Sequence, residues 1–214
     1  MDVFSVFNLK GGTGKSTVTM LLAGAMAFDG KKVLILDTDE QQSIKMLFET
    51  EKGPDVVPLF DVQKVHVQSI RDALQSASTK YDMVFIDLPR FTSASDGIAF
   101  EVLAYCDLVL VPVMPSQMDV LSTLDLLPIL QEVQTVKKKA KFGFKYFGFL
   151  NKVKNRSENS LARETLEQYG LTMFDASLQD VKIFLYPSAF TSILDSPDGK
   201  KRFGEFFNEF KSNI

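Results

Sequence analysis

The 214-residue sequence predicts an α/β fold, a mostly parallel twisted sheet with helices on both faces, in one domain spanning residues 1–214. Three observations carry that expectation. Short runs of consecutive Val, Ile, Leu and Phe recur along the chain, the pattern of strands covered on both faces. Amphipathic stretches of helical length separate those runs, and strand–helix–strand repetition builds parallel sheets. Apolar residues at 45% and charged residues at 24% supply a packed core, which sets aside a disordered chain.

The elements follow in order. Strands are expected at 3–8, 32–37, 83–87, 108–113 and 144–150, with a weaker one at 171–174. Helices are expected at 15–28, 69–76, 95–104, 118–134 and 157–169. Gly30 and Gly170 stand just past the first and last of these, where glycine stops a helix. Residues 51–58 contain Gly53, Pro54 and Pro58 and read as a surface loop rather than a domain linker.

Composition excludes several classes. Twenty-four Lys and Arg against 27 Asp and Glu give −3, so net charge alone does not mark a nucleic-acid binder. The single cysteine, Cys106, forms no internal disulfide and no cysteine metal cluster within one chain, and reads as a small core residue. No apolar run reaches the roughly 18 residues of a membrane span. The N-terminus lacks the basic-then-apolar plan of a signal peptide. A soluble chain in a reducing compartment is expected. His66, the only histidine, lies in a polar stretch and reads as a surface residue.

The most informative segment is Lys10-Gly11-Gly12-Thr13-Gly14-Lys15-Ser16-Thr17, between an apolar strand and a helix. That is the context of a phosphate-binding loop. Glycines let the backbone turn so that successive N–H groups face phosphate oxygens, helped by the positive end of the helix. Lys15 supplies a point charge to the β and γ phosphates, Ser16 a hydroxyl to Mg²⁺, and Thr17 a contact near the α phosphate. The usual loop has a glycine where this chain has Leu9, whereas a variant with an added lysine, Lys10, fits throughout.

With these residues in place, the chain resembles the ParA/MinD family of deviant Walker A P-loop ATPases, whose Lys-Gly-Gly-x-Gly-Lys-Ser/Thr signature it matches at every fixed position. The resemblance implies ATP and Mg²⁺ as cofactors and ATP hydrolysis as the activity. It also implies that Lys10 reaches across a nucleotide-sandwich dimer to the partner's phosphates, where a second cation stabilises charge spreading during phosphoryl transfer.

Acids follow two of the apolar strands. Residues 33–37 end in Asp37, with Asp39 two positions on, and strand alternation would put both on one side at the carboxyl edge where open α/β sheets bind ligands. Residues 84–87 end in Asp87 and resemble the Walker B element. One acid after a strand is ordinarily a helix cap, but three beside a phosphate loop point to chemistry. By resemblance, Asp39 orients or activates the attacking water, Asp37 stands close to the Mg²⁺ shell, and Asp87 holds Mg²⁺ through a water. Glu40 replaces a proline common in the family, and Arg90, where a small residue or proline is common, either contacts a phosphate or is an exposed loop residue.

The likeness extends along the chain. Residues 106–113 with Pro115, Ser116 and Asp119 look like the strand and loop flanking the nucleotide and dimer face. Asn151 looks like the strand-terminal asparagine that contacts adenine, although an asparagine after a strand is also a common turn former. Ser196-Pro197-Asp198-Gly199 and the helix after it resemble the short ParA-type plasmid-partition proteins, while 186–189 match the family's adenine contacts poorly.

Two stretches suggest partner surfaces. Lys137, Lys138, Lys139, Lys141, Lys145, Lys152, Lys154 and Arg156 fall within twenty positions that contain no acid, which reads either as a polyanion site or as a solvated helix end with strand lysines. Phe203, Phe206, Phe207 and Phe210 share one face of a terminal helix, which fits core docking better than a membrane surface because Glu205 and Glu209 would be repelled by anionic lipid.

The expected function is therefore ATP-dependent DNA segregation. ATP binding drives a homodimer, the dimer binds nonspecific DNA, and a centromere-binding ParB-type protein stimulates hydrolysis. The protein is expected in the cytoplasm on the nucleoid. With the phosphate loop starting at residue 10 there is no room for an N-terminal helix-turn-helix, so sequence-specific repression would fall to the partner. The alternatives are a MinD-like membrane-surface positioning ATPase and a small-molecule ligase or kinase of the same fold.

Overall fold

The structure, a computed structural model, describes residues 1–39, 43–51, 53, 56–89, 96–154 and 156–214, except for the side chains of Ser43, Asp96, Arg156 and Ser157. Glu40, Gln41, Pro54, Arg90 and Ser95 lie outside the described residues. The strands are β1 (Asp2–Val6), β2 (Val33–Asp37), β3 (Asp61–Lys64), β4 (Met83–Asp87), β5 (Leu108–Val113), β6 (Lys145–Val153) and β7 (Leu178–Gln179). The helices are α1 (Lys15–Phe28), α2 (Ser43–Glu51), α3 (Ile70–Ala77), α4 (Asp96–Leu103), α5 (Gln117–Leu124), α6 (Leu127–Lys139), α7 (Arg156–Gln168) and α8 (Pro197–Asn213).

The strands make one sheet in the order β3-β2-β4-β1-β5-β6-β7, and every adjacent pair is parallel. Consecutive apolar residues do what a sheet covered on both sides requires. In β4, Val84 and Ile86 face a layer formed by α3, α4, α6 and α7, while Met83 and Phe85 face α1, α2 and α8. β2 alternates likewise, with Leu34 and Leu36 on the first face and Val33 and Ile35 on the second.

Where expectation and structure differ, the causes are local. The helix expected over 118–134 is two helices, because Pro128 has no N–H to donate and its ring opposes the carbonyl four residues earlier. α6 therefore starts afresh with Pro128 in its first turn. Residues 171–174 form only an isolated bridge, Met173 to Gly148, and the pairing continues at β7 instead. β3 is an edge strand with only Val62 buried, so it carries no apolar run to detect. α2, also absent from the sequence expectation, buries Ile44 and Phe48, one turn apart.

α8 decides between core and membrane for the terminal aromatic face. Ser196 caps the helix by accepting the Gly199 N–H at 3.0 Å, and Pro197 fills the first turn, where its missing N–H costs nothing. Phe203, Phe206, Phe207 and Phe210 are all buried. Phe210 meets Phe4 edge-on at 5.5 Å between ring centroids, and Phe206 lies 4.7 Å from Phe149. Each such burial stabilises by about 1.5–3 kcal/mol relative to exposure. Glu209 accepts the backbone N–H groups of Asp175 and Ala176, both at 2.8 Å, so this acid holds a loop. Among the described residues no helix is long and apolar enough to cross a membrane.

The start of α8 is tightly constrained. A Cβ on Gly199 would lie 1.8 Å from the Ile193 carbonyl oxygen, a backbone atom that cannot rotate away. Gly199→Ala should therefore destabilise the fold by about 1–3 kcal/mol. Urea unfolding followed by circular dichroism measures this, and a parental midpoint would show that the helix start shifts freely.

Candidate functional site

The loop after β1 is held by contacts within the chain. Asn8 is buried, and its amide nitrogen donates to Pro112 O and Thr123 Oγ1, both at 3.0 Å, while its oxygen accepts the Lys10 N–H at 3.1 Å. Gly12 and Gly14 take φ of 80° and 95°, the left-handed region that a Cβ disfavours, and Gly14 caps α1. Lys15 is buried and donates to the Lys10 carbonyl at 3.1 Å. The result is a chain folded around the N-terminus of a 14-residue helix, an electropositive concavity suited to phosphate.

The carboxylates come from neighbouring strands. Asp37 and Asp87 are register partners at the ends of β2 and β4, so the parallel pairing lays them side by side. Asp87 is buried and accepts the Ser16 hydroxyl at 2.8 Å, while its other oxygen has no hydrogen-bond partner. Burial, with the nearby charge of Asp37, pushes its carboxyl up to about 7 against the pull of Ser16 and Lys15. Burial likewise raises Asp37, although the N–H groups of Lys45 and Asp39 oppose it. A buried carboxylate with one orphaned oxygen, bonded to a hydroxyl at a phosphate loop, suits Mg²⁺, which keeps waters and needs few protein ligands.

The alternation expected to align Asp37 and Asp39 does not operate, because β2 ends at Asp37. The Asp37 carboxylate turns the chain instead, accepting Asp39 N at 3.2 Å and, at the start of α2, Lys45 N at 2.9 Å. Asp39 remains beside the cluster as a half-exposed residue.

Lys10 projects from the loop to Asp119, with its ammonium 2.9 Å from a buried carboxylate that also receives the Ser116 hydroxyl. Its side chain is 36% exposed. Asn151 is buried and donates to Thr13 O at 2.7 Å, while Lys152 donates to Gly12 O at 2.8 Å. Asn151 thus supports the phosphate loop and also lines a cleft with Gly14, Thr17, Gln179, Val181 and Phe184. The 178–185 wall of that cleft and the loop-holding bonds of Asn8 escaped the sequence reading, which placed Lys152 only in the basic stretch. Strand-flanking position was the one available signal, and it is shared with many ordinary turn residues. Ser188 and the Ala189 N–H bond Glu51 of α2.

The basic stretch is not one surface. Lys137 is buried, donates to the Cys106 carbonyl and sits over the Phe144 ring at 5.6 Å. Lys145 donates to the Asn213 carbonyl at 2.7 Å, and Lys154 pairs with Asp180 at 2.7 Å. Lys138, Lys139 and Lys141 are exposed near the start of β6, separated from Lys152 and Lys154 by the length of a nine-residue strand rising about 3.3 Å per residue. The Arg156 side chain lies outside the described residues. Cys106 is buried, its thiol pushed up to about 12 by that burial, and His66 is exposed, so both keep the structural roles expected of them.

The loop's close approach to β6 can be tested. A Cβ on Gly14 would meet Asn151 Nδ2 at 2.4 Å, on a backbone that already disfavours one. Gly14→Ala should leave the fold intact and weaken ATP binding by about tenfold or more, equivalent to at least one good hydrogen bond. Calorimetric titration giving the parental affinity would show that the loop tolerates the displacement.

Comparison with known proteins identifies the family and the fold. A 25% identical relative, the maintenance of carboxysome distribution protein A of Halothiobacillus neapolitanus, aligns over 82% of this chain and 78% of its own. Protein ParA of Rhizobium radiobacter is 30% identical over 56% of this chain, which spans about half (51%) of that protein. Among solved structures, a putative plasmid partition protein of Borrelia burgdorferi bound to AMPPNP superposes with a TM-score of 0.72 at 19% identity, over 100% of this chain and 99% of that one. Residues 4–185 match the family model described as the CobQ/CobB/MinD/ParA nucleotide binding domain. That match covers most of the sequence, and this chain belongs to the CobQ/CobB/MinD/ParA nucleotide-binding family.

Proposed function

We propose that residues 1–214 act as one ParA-type ATPase domain that segregates DNA, cycling between a monomer and an ATP-bound homodimer on nonspecific DNA. The observation that carries this reading is the double-lysine loop, with Lys15 at the start of α1 and Lys10 directed outward to Asp119. A phosphate loop that binds nucleotide needs only the lysine at the helix start, Lys15. The second serves a site beyond its own loop, and its partial exposure lets it exchange Asp119 for the phosphates held by a second subunit. The likeness to a ParA protein and to a plasmid partition protein supports the same choice.

We assign the roles that the resemblance implies, with the placement of each residue in support. Gly11, Gly12, Thr13 and Gly14 present backbone N–H groups to the phosphates, Lys15 neutralises β and γ oxygens, and Thr17 lies toward the α phosphate. Ser16 and Asp87 hold Mg²⁺, with Asp37 in the next strand shaping its surroundings through the loop it caps. The ion supplies charge neutralisation on the phosphates. Asp39, half-exposed at the mouth of the cluster, orients the attacking water. Asn151 borders the adenine cleft. A centromere-binding ParB-type partner that stimulates turnover, and a place on the nucleoid in the cytoplasm, complete the reading. Burial of the aromatic face of α8 speaks against membrane-surface positioning.

Asp39→Ala should retain ATP, dimerise and lose turnover by about 10²-fold or more, whereas Lys15→Ala should lose nucleotide altogether. Calorimetry, light scattering and phosphate release distinguish the two. Parental turnover in Asp39→Ala would remove that residue from the chemistry.

DNA binding is expected to require ATP and Mg²⁺, to show little sequence preference and to fall steeply with salt. Lys138, Lys139 and Lys141 are its exposed cations, and Lys137 is set aside because it is buried. Reversing those three to Glu should weaken binding at unchanged ATP affinity, with the log–log salt slope shallower by about 0.9 for each DNA phosphate left without its lysine. Electrophoretic mobility shifts at two salt concentrations measure both. Equal DNA affinity with and without ATP would overturn the switch.

A further inference from the structure

Lys152 belongs to none of the roles above, yet its conformation is unusual. Its φ is 55°, one of only two positive values at non-glycine residues among those described. A bulky side chain rarely occupies that region unless its surroundings hold it there. Two bonds do so here. The backbone N–H donates to Asn151 Oδ1 at 3.0 Å, and the ammonium reaches 140 residues back in the chain to Gly12 O at 2.8 Å. Beside it, Asn151 Nδ2 holds Thr13 O at 2.7 Å. The end of β6 therefore grips two consecutive carbonyls of the phosphate loop, and Lys15 holds a third, that of Lys10.

A trans peptide is planar, and its N–H points opposite its C=O. Fixing the Gly12 carbonyl toward β6 points the Thr13 N–H away from it, and fixing the Thr13 carbonyl does the same for the Gly14 N–H. Successive N–H groups turned to one side form the nest that binds an anion. We propose that Lys152 is a positioning residue of the phosphate loop, turning the Gly12 carbonyl toward β6, in concert with Asn151 at Thr13, so that the loop N–H groups face the nucleotide phosphates. The left-handed turn at Lys152 is what aims its side chain back along the strand end to the loop. The consequence for nucleotide rests on the reading of this loop as a phosphate site, while the grip itself does not.

The test uses the full chain with Lys152→Met, which keeps the length and removes the donor, and Lys152→Arg, which keeps it. Backbone ¹⁵N order parameters of residues 11–14 without nucleotide read the grip, and calorimetric titration with ADP at two salt concentrations reads its consequence. Lys152→Met should lower the loop order parameters from the rigid range of about 0.85 to about 0.6 and bind ADP about tenfold more weakly, as expected for removal of one charge-assisted bond. Lys152→Arg should restore both, and the salt dependence of ADP binding should not change. Parental order parameters in Lys152→Met would overturn the proposal. So would failure of Lys152→Arg to restore, and so would weakened ADP binding with a shallower salt slope and parental order parameters, which is plain charge attraction. Lowered order parameters in a protein whose parent binds no ADP would support the grip and overturn only the phosphate reading. Should Lys152→Met not fold, Lys152→Gly, which suits the positive φ, takes its place in both measurements.

Discussion

The parallel register of β1, β2 and β4 is the constraint on which the site depends. Val33 to Asp37 pair one for one with Met83 to Asp87, and β1 lies on the other side of β4 with Asp2 opposite Met83. Strands that start level and have similar length also end level. The loop that leaves β1 and the acids that end β2 and β4 are therefore delivered to the same edge. A shift of one residue would turn Asp87 to the other face of the sheet and carry it away from Ser16. The alternating Val, Ile, Leu and Phe residues that enforce this register belong to the core, so the same side chains that stabilise the fold also align the chemistry.

That alignment concentrates negative charge in a poorly solvated place. With its folded-state value raised from the ordinary 3.8 to about 7, ionised Asp87 costs stability increasingly as pH rises through that window. Ser16 and Lys15 offset part of the cost. The orphaned oxygen of Asp87 shows that protein groups do not offset all of it. An arrangement that its own residues leave incomplete is one that a cation, with a polyanion on the adjoining N–H groups, would complete under the reading proposed above.

Basic residues are distributed by the same architecture. β6 separates a cluster at its start, around Lys138, Lys139 and Lys141, from Lys152 and Lys154 at its end. The lysines at the end serve the loop and Asp180, while Lys137 is bound to a carbonyl inside the protein. Proximity along the chain thus misrepresented proximity in space. α8 shows the opposite case, because its four phenylalanines lie on one helical face by periodicity alone, and the sheet surface covered by Phe4, Phe85 and Phe149 receives that face.

How much could be read in advance follows from the range of the interactions involved. The strands with consecutive apolar residues, the helix from Lys15 to Phe28, the glycines at left-handed positions and the double-lysine loop that precedes Ser16 are properties of short segments, and short segments carry them. The break at Pro128 was equally local. The polar edge strand β3, the seating of Asn151 under Thr13, the pairing of Lys10 with Asp119 and the burial of Lys137 all depend on residues far apart in the chain meeting across the sheet. No local pattern encodes such a meeting, because whether a lysine faces water, a carbonyl or a phosphate is set by the surface that packing places beside it.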